Sequence, residues 1–147
     1  MNPLDTIREW LNKYTGFDRL QDLRVDYYSQ QPDNGSIDPS GVQIISITED
    51  ILGNKTVDMQ YNFGVYFVLA KDPGDEETAV DNAAWVMDFQ RWVNEQSILH
   101  LAPAFGDVPK TESIKAQNGA VTAADNEGVA IYMVQLSVSF TKIYEVN

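Results

Sequence analysis

Any catalysis by this chain would have to be built from one histidine and 22 carboxylates, without a cysteine. His100 stands between Leu99 and Leu101 near a helix end, where an imidazole can meet terminal carbonyls and needs no reactive partner. Two neighbouring carboxylates can serve as an acid–base pair, but with 22 Asp and Glu among 147 residues some are close by abundance alone. Asp33 to Asp38 (Asp-Asn-Gly-Ser-Ile-Asp) has the acidic ends of a calcium loop and lacks its spaced ligands and closing Glu, which leaves a solvated turn. Acidic edges brought together between copies can attract a divalent ion, since hard cations take oxygen ligands. No residue is assigned as a metal ligand, a catalytic group or a cofactor contact, and no cofactor is implied. The Gly-x-Ser-x-Gly, phosphate-loop, His-Glu-x-x-His and dinucleotide patterns are absent.

Composition narrows the remaining classes. A 147-residue chain fits one domain, 1–147, and a fold of this size buries about 68–70% of the surface its unfolded chain exposes. With 44% hydrophobic and 22% charged residues it is globular rather than disordered. The formal charge of −12, from 10 Lys and Arg against 22 Asp and Glu, argues against tight nucleic-acid binding, which needs clustered basic residues. It suits a protein whose surfaces are screened before copies associate. The N-terminal residues lack a basic segment and an apolar run, so no signal peptide is read there, and no stretch reaches the roughly 18–20 apolar residues of a membrane helix. Cytosolic synthesis is expected.

The elements that would position any site follow from periodicity. Asn2 can cap a helix that opens on Pro3 and repeats Leu4, Ile7, Trp10, Leu11 and Tyr14, with Gly16 ending it. Residues 23–28 alternate as a half-buried strand. Residues 30–41 hold nearly every turn-forming type and read as a long mobile loop. Residues 42–51 are β-rich, and the adjacent Ile44 and Ile45 predict a bulge or burial on both faces. From Val57 to Leu69 the odd positions are apolar, which makes this the clearest strand; Tyr66 and Val68 on its back suggest cover by something further, such as a second subunit. The central organiser is residues 75–107. Asp75, Glu76 and Glu77 suit the opening turn of a helix whose Asn82, Trp85, Val86, Phe89, Trp92, Val93 and Gln96 form one stripe, and Pro103 prevents its resumption. A strand interrupted at Asn118-Gly119 and a final strand with Tyr132, Val134, Leu136, Val138 and Phe140 on one face complete the order α-β-β-β-α-β-β. Short connections predict an α+β fold: a mainly antiparallel sheet with both helices packed on one face.

The run Trp85-Val86-Met87-Asp88-Phe89-Gln90-Arg91-Trp92-Val93, the following Pro103-Ala104-Phe105-Gly106-Asp107 and the closing Tyr132 to Tyr144 strand resemble the minor capsid proteins of tailed phages and prophages. In Gram-positive prophages these are similar to the tail terminators of long-tailed phages. The resemblance extends over most of the chain, from the first helix to the last strand. It implies an α+β subunit forming a closed homo-oligomeric ring, usually a hexamer, that caps the tail tube, stops its polymerisation and presents the surface for the filled head. Implied partners are further copies of itself, the tail-tube protein and a head-completion or connector protein. DNA passes without specific binding, no membrane is involved, and no reaction is performed. The implied location is the bacterial host cytoplasm during assembly, then the virion tail at the head–tail junction. No family-defined functional residue is carried over.

Ring contacts require exposed loops or strand edges. The candidates are Asp33, Asn34, Ile37 and Asp38 in the first turn-rich segment, Tyr66 and Val68 on the back of the long strand, and Asn118, Asp125 and Asn126 near the last turn. Other head–tail connectors are the neighbouring reading. A ligand-binding domain that stacks its Trp and Tyr residues and a carboxylate-dependent enzyme are the readings from other classes.

Overall fold

The computed structural model describes residues 2–25, 32–71, 74–124 and 128–146. Its elements are α1 (Pro3–Leu11), a 3-10 turn (Thr15–Arg19), β1 (Asp22–Val25), β2 (Asn34–Glu49), β3 (Lys55–Ala70), α2 (Glu76–Ile98), β4 (Ser113–Ala124) and β5 (Val129–Tyr144). The strands form one sheet in the order β1-β2-β3-β5-β4, antiparallel at every junction except β1 with β2. This is the expected α+β order. The parallel β1–β2 pair corrects the antiparallel expectation for that junction. Gln21 and Asp33 enter side by side, with the Gln21 amide donating to the Asp33 carbonyl at 2.7 Å, so both strands start at the same end.

The segment expected to be a mobile loop is the largest correction. Residues 34–39 are the first part of β2, paired to β3 throughout and, from Asn34 to Ile37, to β1 on the other side. Their turn-forming residues have other causes. A side chain at Gly35 would place its Cβ 2.9 Å from a Leu23 methyl, and Gly41 has φ of 110° at a register shift beside Pro39. Proline is tolerated there because a bulge needs one fewer ladder bond.

The core lies on one face of the sheet. Phe63, Val65, Phe67 and Leu69 of β3 are in register with Leu136, Val134, Tyr132 and Ala130 of β5, and all eight are buried under both helices. From α1 come Ile7, Trp10 and Leu11; from α2 come Val86, Phe89 and Val93. The 3-10 turn adds Phe17, whose ring lies 5.3 Å from that of Phe89 and 5.8 Å from that of Phe67. The opposite face is polar: Gln60 and Ser137 donate to Asn62, and Thr141 and Ser46 donate to Asp58, the alternation expected of a sheet with one face toward water.

Helix ends are capped by the residues their types predict. Asn2 Oδ1 accepts from the Asp5 amide at 2.9 Å, and Asp75 accepts from the Thr78 amide at 3.2 Å. Hydrogen bonds from the Thr78 hydroxyl and then its amide hold the Asp75 carboxyl below the usual carboxylate range. The stabilising charge is therefore complete above the unfolded pKa of about 4 and is lost as pH falls through the lower folded value. Asp75→Ala is expected to lower the melting temperature at neutral pH, and the gap from wild type should close as acid protonates the carboxyl. A gap that stays constant down to strongly acid pH would show that the carboxylate is not the stabilising cap.

Candidate interaction surface

The proposed contact residues do not form one patch. Asn34, Asp38, Tyr66 and Val68 lie on paired stretches of β2 and β3, on the face away from the helices. Ile37 is on the core side and fully buried, Val68 is also fully buried, and Asn34 is 9% exposed, so these three are not available on the surface of the single chain. Cover for Val68 comes from the chain itself, not from a second subunit. Asp33 forms a 3.3 Å ion pair with Arg19, and Asp38 accepts from the Ser36 hydroxyl at 3.0 Å; both are half-buried. Tyr66 is half-buried. Asn118 lies on β4, beyond β5, exposed and donating to Gln135 at 2.7 Å, with φ of 59° at the interruption expected there. Asp125 and Asn126 lie outside the described residues.

The surface that does stand open is the β-rich stretch for which the sequence predicts a bulge or burial on both faces. In β2 every residue from Pro39 to Glu49 is exposed, including Val42, Ile44, Ile45 and Ile47 at 55–61%, and the turn adds Ile51 and Leu52. The expected bulge is present: the register with β3 shifts between Ile44 and Ser46. Because Ile45 is the extra residue, Val42 opposite Tyr61, Ile44 opposite Met59 and Ile47 opposite Val57 share the helix-side face. The helices do not reach that far. Sixteen residues of β2 span about 53 Å, whereas nine of α1 span about 14 Å and 23 of α2 about 35 Å. At the limit of the covered region, Phe105 packs against Tyr61 and Phe140 with ring centroids 5.1 and 5.8 Å away.

That packing gives Pro103 to Asp107 a physical role. A Cβ on Gly106 would sit 2.5 Å from the Thr141 carbonyl oxygen, so only glycine lets the loop lie on β5. The Asp107 amide then donates to the Thr141 carbonyl at 2.8 Å, and its carboxylate accepts from the Ile143 amide at 2.9 Å. The loop closes the end of the core, and the arm of β2, β3 and the end of β5 continues past it. An apolar notch of about 270 Å³ remains at the base of the arm, lined by Pro3, Leu4, Pro39, Val42, Tyr61 and Phe63.

The chemical candidates are structural in their surroundings. His100 is exposed, with φ of 58°, and its amide donates to the Ser97 carbonyl as α2 ends. Among the described residues no three His, Asp or Glu converge as a metal site. The buried polar group Asn82 accepts from Arg19 at 2.9 Å and donates to the Ala70 carbonyl at 2.9 Å; Arg19 also lies 5.5 Å from the Trp85 ring centre. This ties the 3-10 turn, β3 and α2 together. Among the described residues no helix is long and apolar enough to cross a membrane. The chain matches no protein-family model and no curated protein, so its own geometry carries the functional reading.

Proposed function

We propose that this chain is a non-enzymatic structural subunit of a tailed-phage particle, assembling into a closed ring, hexameric as in the proteins it resembles, at the end of the tail tube. In that place it ends tube polymerisation and offers the filled head a surface for attachment. Its partners are its own copies, the tube protein and a head-completion or connector protein, and DNA crosses the ring without being held. The work is done in the bacterial cytoplasm, and the product stays at the head–tail junction.

The supporting observation is the arm: an uncharged apolar stripe of Val42, Ile44 and Ile47 left uncovered on a chain of net charge −12. A contiguous apolar surface of this kind marks a contact with another protein. The acidic remainder keeps copies apart until the stripes and edges meet, and repels phosphate in any channel the copies enclose. Light scattering of the purified protein, with and without magnesium and at raised salt, should reveal a discrete ring-sized species in at least one condition. Strict monomers throughout, together with failure to bind tail-tube ends, would sink this reading.

A further inference from the structure

The two edges of the sheet are treated differently. On β4 the Ile114 amide donates to the Ser97 hydroxyl at 3.1 Å and the Ala116 amide to Asn94 Oδ1 at 3.2 Å, so side chains of α2 occupy outward donors of that edge. Two register shifts further break its line. The edge of β2 also carries two register shifts, at Pro39/Gly41 and Ile44/Ser46, but among the described residues no helix side chain occupies its outward donors. β1 covers β2 only from Asn34 to Ile37, and among the described residues no strand pairs with the outer side of β2 beyond that point. A long, apolar edge strand without charged residues is a template for another strand.

We infer that in the free protein this edge pairs with the same edge of a second copy, antiparallel across a two-fold axis between Ile44 and Ile45. Charge is the first reason. Residues 39–48 contain no Asp, Glu, Lys or Arg, in a chain that otherwise carries its −12 widely, so like copies meet here without facing carboxylates. Pattern is the second. Val42-Gln43-Ile44-Ile45-Ser46-Ile47 reads the same in both directions as apolar and polar. Antiparallel pairing about its centre sets Val42 against Ile47, Gln43 against Ser46 and Ile44 against Ile45 of the second copy. The bulge makes this agree in three dimensions, since Val42 and Ile47 share the helix-side face while Gln43 and Ser46, opposite Gln60 and Asp58, share the other. A one-residue slip would set apolar against polar.

The pairing deepens the assembly reading and rests on it only for its purpose. A two-fold contact cannot lie within a single cyclic ring. It therefore belongs to the free protein, where it keeps the edge and stripe covered until tube ends are present.

The chain has no cysteine, so disulfide trapping has a clean background. A mixture of Gln43→Cys and Ser46→Cys proteins under mild oxidation should give a mixed disulfide in far higher yield than either protein alone, and light scattering of wild type without tube ends, in conditions where no ring forms, should give a two-chain mass. Ile44→Lys with Ile47→Lys, both exposed, should halve that mass and leave the circular dichroism unchanged. A wild type of one-chain mass, a lysine variant that stays paired, or single variants that cross-link as well as the mixture would each overturn the pairing. A ring that assembles on tube ends without any trapped pair defeats only this inference; a trapped pair that never caps a tube defeats only the tail role.

Discussion

Deletion of residues 34–40 is expected to abolish the cooperative unfolding transition and leave the chain unfolded. The turn-rich composition of this stretch suggests a dispensable loop, but three structural costs coincide there. Ile37 is fully buried, and loss of a side chain of that size from a core costs about 2–5 kcal/mol by itself. Backbone pairs are lost on both sides, because Asn34 to Ile37 bridge Asp22 to Val25 and Val65 to Val68. Val68, fully buried and paired with Asn34, loses its setting as well. Each lost net hydrogen bond adds about 1 kcal/mol. Against a total stability of about 5–15 kcal/mol for a domain, the sum exceeds what the rest of the sheet supplies. Urea titration followed by tryptophan fluorescence provides the measurement. A deletion variant with a wild-type midpoint would mean that β3 does not need β2 as its neighbour.

How much of this was visible beforehand depended on whether a pattern reports the chain's own periodicity or its neighbours. Residues 57–69 and 132–140 alternate without interruption, and α2 repeats its stripe through Asn82, Val86, Phe89 and Val93, so their faces and the fold class were legible. The cap residue Asn2 and the acidic opening turn at Asp75 were legible for the same local reason. Residues 34–39 were not, since Gly35 lies against Leu23 of another strand and Pro39 is tolerated beside a bulge, neither of which a local window contains. Phe17 was missed because a 3-10 turn is too short to show a period.

The interaction surface was misread for a different reason. Apolar strand residues are normally core, and Val42 to Ile47 look no different from those of β3 in type. The available signal was length: a hairpin of two 16-residue strands is longer than a nine-residue helix and a short loop can cover. The polar residues Lys55, Thr56 and Asp58 at the distal end of β3 gave the same hint. Asp125 and Asn126 lie outside the described residues, and Asn118 is separated from the other candidates by β5.

Phe89→Ala is expected to cost about 3–5 kcal/mol, and Trp92→Ala less, about 2 kcal/mol, although tryptophan is the larger side chain. Phe89 is fully buried, with ring centroids of Tyr14, Phe17 and Phe67 at 5.7, 5.3 and 5.3 Å, so its removal leaves a cavity bounded on every side by rings held in other elements. These neighbours come from the 3-10 turn, the segment before it and β3, and cannot move together to fill the space. Trp92 is half-buried and covers one side of Trp10 and Tyr14, at 4.8 and 5.0 Å. Truncation there admits water to a partly open site. Trp10 keeps its 2.8 Å hydrogen bond from Nε1 to the Leu101 carbonyl, which holds α1 against the chain beyond α2. For a chain of this size the Phe89 loss corresponds to a fall in melting temperature on the order of 10 °C. Thermal and urea unfolding of the two variants, read by circular dichroism, give the comparison directly. Equal losses, or a larger one at Trp92, would mean that the centre of the core lies under α1 rather than under the crossing of the 3-10 turn with α2.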